Sequence, residues 1–410
     1  MTTKCRFCGT NLQHVFCNLG MSPVSNAYLK QEQLQHEEPF YPLCAYVCQS
    51  CYLVQLQAFQ NSQSIFTDYA YFSSYSDTWL EHAKAYTEYM IERFKFNSSH
   101  HIVEIASNDG YLLQHFKTRD IPVLGIEPAE NVAKVAKSNG IPSLIKFFGQ
   151  KTAIELIRKN QQADLLIGNN VLAHVPDLND FVKGLKILLK PEGIITMEFP
   201  HLLQLMKKNQ FDTIHHEHFS YFSLLTVEKV FAQHGLILFD VEEISTHGGS
   251  LRIFAKHQEN SNQPILESVN ILKQYELQRG LADLPTYLGF SEKVKKTKRQ
   301  LLDFLITAKR TEQSIVGYGA PAKGNTLLNY CGIRRDFIDY TVDRSPHKQG
   351  LFLPGTHIPI YSPNNIKKTK PNYLLILPWN IKDEIIKQMA FIRTWGGKFV
   401  IPIPQIEVLP

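Results

Sequence analysis

Apolar strands alternate with helical stretches in two separate parts of this sequence, and that alternation constrains the fold more than any other feature. The first part covers residues 61–258 and the second covers residues 311–410. Strands that alternate with helices pair in parallel through βαβ units. We therefore predict an α/β chain with two Rossmann-like domains, joined by a charged helical connector over residues 259–310. A length of 410 residues exceeds one ordinary core, which agrees with several domains.

Two Cys-x-x-Cys pairs mark residues 1–60 as a further domain of different character. Six of the seven cysteines lie there, and 39 residues separate the two pairs. The N-terminus has no apolar signal-peptide core, so we expect a cytoplasmic chain whose thiols stay reduced. Two such turns supply the four thiolates of a closed, tetrahedral, structural zinc site. The predicted ligands are Cys5, Cys8, Cys48 and Cys51, with Cys17 and Cys44 as the alternatives.

Composition limits the partners that this chain could bind. The sequence carries 43 Lys and Arg against 38 Asp and Glu, a net charge of +5. Its densest basic run, KVKKTKR at 293–299, lies in a helical stretch and fits a solvated helix face. No apolar run approaches the ~20 residues of a membrane helix. We expect a monomer that binds neither nucleic acid nor a membrane.

A polar turn between a strand and a helix is the candidate cofactor site. The strand that ends at Ile105 leads into Ala106–Gly110, and the next strand ends at Glu127. Glycine lets the backbone approach a ligand, and a carboxylate at Glu127 can take both hydroxyls of a ribose. The turn lacks the GxGxxG pattern that cradles a pyrophosphate, which favours S-adenosylmethionine over NAD. The predicted cofactor contacts are Glu104, Ser107, Asn108, Asp109, Gly110, Glu127, Pro128, Asn169 and Asn170.

Later motifs make the assignment more specific. An apolar strand ends at Asn169 and Asn170, and a helix, a Lys-Pro-x-Gly turn at 190–193 and another strand follow. This order is that of class I methyltransferases. Together with the cysteine pairs, EIASNDG, GNNVLAHVPD and FDTIHHEHFSYFS, it resembles the C-methyltransferases of deoxysugar biosynthesis over essentially the whole chain.

That resemblance carries implications for fold and substrate. Members of the family methylate C3 of nucleotide-linked 4-keto-deoxysugars. It implies a zinc domain, a class I methyltransferase domain and a C-terminal α/β domain, with the nucleotide-sugar substrate in the cleft among them.

The tract that begins at His215 packs several ionisable groups into one turn. Methylation of a carbon beside a ketone needs a base, for which histidine is suited, and a donor for the enolate oxygen. The resemblance points to His218 as the base with Glu217 beside it, and to His174 and Tyr69 as substrate contacts. The family typically carries tyrosine at His215, so either histidine takes over the donor role or the substrate differs in detail.

Any single histidine could instead be a hydrogen-bonded structural residue, and we assign that role to His201, His234 and His347. An HxxH-like metal site in the tract is the weaker interpretation, because zinc proteases space their histidines four apart on a helix. Magnesium is not expected, since no acidic cluster lies near the cofactor turn.

A glycine-rich turn at Val316–Asn325 lies between a strand and a helix of the C-terminal part. Such turns hold anions through backbone N–H groups and the helix N-terminus. One interpretation is a seat for the phosphates or nucleotide of the substrate. The other is a duplicated nucleotide-binding fold that only completes the cleft. The candidate substrate contacts are Tyr75, Lys323 and Asn325.

Three other functions remain open at this point. An O- or N-methyltransferase acting on another small molecule would need no enolate. A non-catalytic zinc- and nucleotide-binding protein would need no base. An RNA methyltransferase is disfavoured by the modest net charge and the lack of a basic stripe.

Overall fold

The computed structural model describes residues 3–59, 73–75 and 77–410, except for the side chains of Tyr75 and Asp77. The predicted substrate contact Tyr69 lies outside the described residues, as does the side chain of Tyr75. The strands are β1 (His14–Ser22), β2 (Tyr41–Val47), β3 (Val54–Leu56), β4 (Ile102–Ile105), β5 (Val123–Ile126), β6 (Ser143–Leu144), β7 (Ala163–Asn169), β8 (Leu189–Pro200), β9 (Ser220–Tyr221), β10 (Leu236–Ile244), β11 (Ser250–His257), β12 (Ile315–Tyr318), β13 (Thr341–Val342), β14 (Ile360–Tyr361), β15 (Tyr373–Ile376), β16 (Lys398–Ile401) and β17 (Glu407–Leu409).

Helices connect most of these strands. The α-helices are α1 (Asp77–Phe94), α2 (Leu113–Lys117), α3 (Glu130–Ser138), α4 (Gln150–Ile157), α5 (Leu178–Leu188), α6 (Leu202–Lys207), α7 (Leu224–Gln233), α8 (Glu267–Gln278), α9 (Leu284–Leu288), α10 (Phe290–Arg310), α11 (Ala322–Cys331), α12 (Asn365–Thr369) and α13 (Lys382–Gln388). Short 3-10 turns occupy Gln31–Gln35, Ser73–Tyr75, Leu172–His174, Phe211–Thr213, Thr246–Gly248, Trp379–Ile381 and Ala390–Trp395.

The N-terminal sheet has the strand order β1-β2-β3-β9, and its pairs are antiparallel. Three strands come from the cysteine-rich segment. The fourth, β9, comes from a point more than 160 residues later in the chain. The zinc-binding part therefore does not complete its sheet without a piece of the methyltransferase part.

The central sheet has the order β10-β11-β8-β7-β4-β5-β6. When the seven strands are numbered in chain order, with β4 as strand 1, and read from β6 to β10, the order is 3-2-1-4-5-7-6. β11 is antiparallel to both of its neighbours. This confirms the predicted class I methyltransferase fold. From β4 the chain continues to β5 and β6 on one side and then crosses to β7 on the other side, so the strand order reverses between β4 and β7. Ligands bind at the carboxyl ends of the strands at such a switch point.

The C-terminal sheet has the order β14-β13-β12-β15-β16-β17, in which β17 is antiparallel and the other pairs are parallel. The two central strands, β12 and β15, are short, apolar and mostly buried, as expected when helices cover both faces of a parallel sheet. This confirms the second Rossmann-like domain. Its switch point lies between β12 and β15.

One apolar core joins the N-terminal sheet, the helical connector and the C-terminal domain. Phe16 of β1 stacks on Phe290 of α10 with 4.6 Å between ring centroids, and Tyr287 of α9 packs edge-on at 6.3 Å. Each ring is almost fully buried, which stabilises the packing by about 1.5–3 kcal/mol per side chain. The connector therefore holds the two outer domains together.

Within the described ranges, no helix is both long enough and apolar enough to cross a bilayer.

Candidate active site and zinc centre

Four cysteine thiols converge where the two N-terminal knuckles meet. The sulfur atoms all lie within 4.8 Å of one another, and three of the separations are 3.5–3.7 Å. A tetrahedral zinc with Zn–S bonds of ~2.3 Å needs sulfur atoms about 3.8 Å apart. The group fits zinc, and in the described part of the chain it includes neither of the alternative cysteines. Its members are Cys5, Cys8, Cys48 and Cys51.

Both knuckles share one backbone arrangement. The residue that follows each pair has a positive φ, 76° at Gly9 and 63° at Tyr52. Its N–H donates to the carbonyl oxygen of the first cysteine, at 3.0 Å from Gly9 to Cys5 and 2.9 Å from Tyr52 to Cys48. Glycine enters this conformation freely, whereas tyrosine must be held there. The ring of Tyr52 stacks on Tyr287 at 5.7 Å, which ties the second knuckle to the connector.

Arg6 connects the first knuckle to the methyltransferase sheet. Its guanidinium donates to the carbonyl oxygen of Pro176 at 2.7 Å and to that of Leu56. Its backbone N–H donates to Gln55, whose amide in turn donates to the Cys5 sulfur at 3.1 Å. Donors of this kind orient a thiolate ligand and adjust its basicity. The metal site and the turn after β7 are therefore joined through one side chain.

Strand β9 fixes the histidine tract to the zinc domain. Val54 pairs with Tyr221, and the Leu56 N–H donates to the Phe219 carbonyl oxygen at 3.0 Å. On the other side, the Phe219 N–H donates to the Ala173 carbonyl oxygen at 2.7 Å. The histidines directly before β9 are therefore held between the zinc-domain sheet and the turn after β7.

Buried polar atoms without protein partners collect at the carboxyl edge of the central sheet. They lie at the ends of β4 and β7, the strands at the switch point, and in the turns that follow them. An unpaired buried polar group costs about 1–3 kcal/mol, so this concentration indicates a polar ligand. The amino acid and ribose groups of S-adenosylmethionine fit such a donor and acceptor set. Unpaired within the described residues are Glu104 Oε2, Ser107 Oγ, Asp109 Oδ1, both amide atoms of Asn169, and Asn170 Oδ1.

Glu127 holds the cofactor turn in shape. One carboxylate oxygen accepts the Asn108 N–H at 2.9 Å and the other accepts the Ala129 N–H at 2.8 Å. Asn108 has a φ of 50°, and the Asp109 carboxylate next to it accepts the Ser74 hydroxyl at 2.6 Å. Burial raises the pKa of Glu127. Each of its oxygens has a second lone pair, which a ribose hydroxyl could use.

Three further predicted cofactor contacts surround this turn. Gly110 has a φ of 81°, and a side chain there would meet Ile141 at 2.8 Å, so the close packing requires glycine. Pro128 is half-buried directly after Glu127. Burial raises the pKa of Glu104 well above its usual range, and the charge of Asp109 adds to that effect.

Three histidine rings meet beside the cofactor edge. The ring centroid of His218 lies 3.9 Å from that of His215 and 4.6 Å from that of His174. His218 Nδ1 lies 3.0 Å from the carbonyl oxygen of Thr213. A carbonyl only accepts, so Nδ1 carries the hydrogen and Nε2 keeps its lone pair. Burial lowers the pKa of His218 to about 4 and those of the other two well below the usual range, so all three are neutral at neutral pH.

Glu217, which was predicted to lie beside the base, pairs with a residue of the N-terminal segment. Its carboxylate accepts the side-chain amide of Asn26 at 2.7 Å. Burial raises the pKa of Glu217 to about 7. The Thr213 carbonyl fixes the tautomer of His218 instead. No direct contact between the Glu217 carboxylate and the His218 ring therefore supports an orienting role for Glu217.

The C-terminal switch point forms the opposite wall. The Lys323 ammonium donates to Asn380 at 2.7 Å and lies 4.6 Å from the ring centroid of Trp379. The Trp379 indole donates to Asp212 at 2.7 Å, directly before the histidine tract. Burial lowers the pKa of Lys323 and raises that of Asp212 to about 6. The charge of Lys323 contributes to the lowered pKa of His218, so the ammonium lies within electrostatic reach of the histidine rings.

Several polar groups of the glycine-rich turn are paired within the chain itself, whereas the buried Oδ1 of Asn325 has no partner among the described residues. Asp343 accepts the Ala320 N–H at 2.8 Å, and the Ala320 carbonyl oxygen accepts the Tyr28 hydroxyl at 2.5 Å. Asn325 is almost fully buried and donates to the carbonyl oxygen of Ser25 at 2.6 Å. These contacts favour a wall over an anion cradle. Substrate binding by Asn325 stays a prediction, and its side chain already holds the N-terminal segment.

The histidines that we interpreted as structural have ordinary surroundings. His201 pairs with the fully buried Glu276 at 2.7 Å. His234 contacts the side-chain oxygen of Asn179 at 2.8 Å, and His347 is exposed.

Sequence reasoning missed Arg6, Asn26, Thr213 and His247. The first two act across more than 150 residues of sequence, and Thr213 acts through a backbone carbonyl, so none of the three has a local signal. His247 does have one, because two consecutive glycines follow it and both have positive φ.

The strand order, the polar carboxyl edge and the four-cysteine centre define a zinc-containing, S-adenosylmethionine-dependent methyltransferase. Family models match in the same order: a putative zinc binding domain over residues 5–66, a methyltransferase domain over 79–240, and a C-methyltransferase C-terminal domain over 245–404. The C-methyltransferase NovU of Streptomyces niveus is 33% identical over 99% of this chain and 96% of that protein. The chain belongs to this family of three-domain C-methyltransferases.

Other similar proteins match a smaller share of this chain. The ubiquinone biosynthesis O-methyltransferase of Bordetella avium is 29% identical over 22% of this chain and 39% of that protein. The magnesium protoporphyrin IX methyltransferase of Synechocystis PCC 6803 superposes with a TM-score of 0.36 and 12% identity, over 49% of this chain and 99% of that one.

Replacing Cys5 and Cys48 by serine together removes one thiolate from each knuckle and should release the metal. We also expect loss of most of the soluble protein, because zinc binding energy is folding energy in so small a domain. Metal analysis should find about one zinc per chain in the wild type and almost none in the double variant. Cys44→Ser is the matched control, since its thiol lies outside the cluster. Full zinc retention in the double variant would contradict the assignment.

Glu127→Ala should weaken S-adenosylmethionine binding by about 1.5–3 kcal/mol, because charge-assisted hydrogen bonds are lost. Glu127→Gln keeps one acceptor and should lose less. Calorimetry on both variants checks this, with Glu130→Ala, an exposed glutamate three residues later, as the control. Unchanged affinity in Glu127→Ala would mean that the cofactor lies elsewhere.

Proposed function

We propose that this enzyme methylates C3 of a nucleotide-linked 4-keto-deoxysugar, and that His218 is the base that forms the enolate. The observation that carries the proposal is the state of one imidazole. Its Nδ1–H is committed to the Thr213 carbonyl, so Nε2 presents a lone pair beside the cofactor edge. Membership of a C-methyltransferase family supports carbon, rather than oxygen or nitrogen, as the atom that is methylated.

The proposed reaction has two halves. First, His218 Nε2 takes the proton from the carbon beside the ketone, the C–H pair becomes the C=C bond, and the carbonyl π pair moves to oxygen. When bound, S-adenosylmethionine supplies a methyl group on a positively charged sulfur. In the second half the oxygen pair returns, the carbon bonds to that methyl, and the methyl–sulfur pair stays on sulfur. The proton on His218 then leaves to solvent.

Lys323 would adjust the base during substrate binding. A pKa of about 4 keeps His218 unprotonated, but it also makes the imidazole a weak base. Burial is the largest cause of the lowered pKa of His218, and the charge of Lys323 lowers it as well. A substrate phosphate that pairs with the ammonium would offset its charge and raise the pKa toward neutrality. The nucleotide would thereby strengthen the base only when it is bound.

His218→Asn should lower methyl transfer by a factor on the order of 10²–10⁴, the usual cost of losing a positioned base. Cofactor affinity, measured by calorimetry, should hardly change. The same variant should lose any exchange of the α proton with deuterated water that the wild type catalyses without a methyl donor. Glu217→Gln should be milder, because its carboxylate contacts Asn26 rather than the base.

His215 is the competing base, and single variants on one substrate separate the two. Near-normal turnover in His218→Asn beside an inactive His215→Asn would transfer the role. An O- or N-methyltransferase would show methyl transfer with no α-proton exchange in any variant.

The pH dependence of kcat/KM reports the free enzyme. Its acid limb should lie below pH 6.5, the usual histidine pKa, because the pKa of His218 is lowered. A positive charge disfavours the imidazolium, so Lys323→Met should move this limb to higher pH. Lys323→Arg keeps the charge and should leave the limb in place. An acid limb that is unchanged in Lys323→Met would contradict the electrostatic role.

A further inference from the structure

His247 lies in a strained turn at the edge of the candidate site, and the reaction described so far does not use it. The turn connects β10 to β11, where Ser250 pairs with Pro200 at the carboxyl end of β8. His247 has a φ of 54° and a ψ of 19° inside the turn. A left-handed conformation is strained for a residue other than glycine, and such strain collects at functional sites.

Both flanking domains hold this turn in place. A side chain on Gly248 would meet the Trp379 ring at 2.8 Å, and one on Gly249 would meet Gln204 at 2.9 Å. The Gly248 carbonyl oxygen accepts from Lys208 at 2.9 Å. The position of His247 is therefore set by packing against α6 and the C-terminal domain together.

The imidazole of His247 is neutral and not fully used. Its ring centroid lies 5.4 Å from that of Trp79, and its buried Nε2 has no hydrogen-bond partner among the residues that the structure describes. Burial, and after it the charges of Lys323 and His218, lower the pKa of His247 to about 4. The ring therefore lies within electrostatic reach of both the proposed base and the buried ammonium.

Geometry separates the two tasks of enolate formation. The proton leaves perpendicular to the carbonyl plane, whereas the lone pairs of the oxygen lie in that plane. A base and an oxygen donor must therefore approach from different walls. The rings of His174 and His215 lie against the ring of His218 and therefore line the same side of the site as the base. His247 belongs to another turn and presents a separate nitrogen.

We propose that His247 Nε2–H hydrogen-bonds the ketone oxygen of the substrate and stabilises the enolate that His218 creates. This inference rests on the proposed function. The hydrogen stays on the nitrogen throughout, so the step adds no proton to the balance. The bond strengthens as negative charge forms on oxygen and weakens as the pair returns, which is the pattern of transition-state stabilisation.

His247→Asn is the first test, because asparagine tolerates the left-handed backbone. On a nucleotide-linked 4-keto-deoxysugar that the wild type methylates, we expect kcat to fall by about 10²–10³. Exchange of the α proton in deuterated water should fall by the same factor, while KM and cofactor affinity change little. His247→Gly relaxes the turn and should show the same loss, which separates chemistry from folding. His36→Asn, at an exposed histidine, is the matched control.

Three results would overturn the inference. A normal rate of α-proton exchange in a folded His247→Asn or His247→Gly enzyme would exclude His247 from the mechanism and leave the role of His218 untouched. A raised KM with unchanged kcat would make it a contact to bound substrate rather than to the enolate. Wild-type enzyme that neither exchanges the α proton nor methylates any 4-keto-deoxysugar would overturn the proposed function and this inference with it.

Discussion

The pairing of β3 with β9 is the contact on which the candidate site depends. A two-residue strand has no independent stability and persists only where a sheet edge accepts it. That edge is Val54–Leu56, which the zinc knuckles hold through Gln55 and Arg6. The histidine tract enters β9 directly, so its position follows from the metal-bound domain. The domain that carries the four cysteines therefore helps to determine where the imidazoles lie.

Burial, more than charge pairing, sets the electrostatics of this cleft. The rings of His174, His215, His218 and His247 all have lowered pKa values, with loss of hydration as the largest cause. The charge of the Lys323 ammonium also lowers the pKa values of His215, His218 and His247, and burial raises the pKa of the nearby Asp212. Among the described residues, the cleft therefore combines neutral imidazoles with the buried ammonium of Lys323.

Local sequence patterns predicted what local geometry controls. The cysteine pairs predicted the metal centre because each pair lies on one turn, and the turn at Ala106–Gly110 marked the cofactor edge because parallel strands place such turns together. The strand alternation likewise predicted both Rossmann-like sheets. The roles predicted for individual site residues remain predictions, including that of Tyr69, which lies outside the described residues.

Contacts between distant segments could not be read from the sequence. Nothing in Ser220–Tyr221 signals membership of an N-terminal sheet, because two residues carry no periodicity. Arg6 resembles any knuckle arginine until its partners at Pro176 and Leu56 are seen. The tautomer of His218 depends on a backbone carbonyl, which every residue has. The glycine-rich turn illustrates the reverse case, since its sequence pattern is typical of anion binding but the Ala320 N–H donates to the chain's own Asp343.

The late origin of β9 also affects how the protein is made. The ribosome must add about 165 residues after Leu56 before Tyr221 exists. At roughly 5–20 residues per second this takes about 8–33 s. During that interval the nascent zinc domain can bind metal but keeps one strand edge open, and open edges recruit other chains. The three-residue length of β3 limits that hazard, and the Arg6 guanidinium already occupies its last carbonyl.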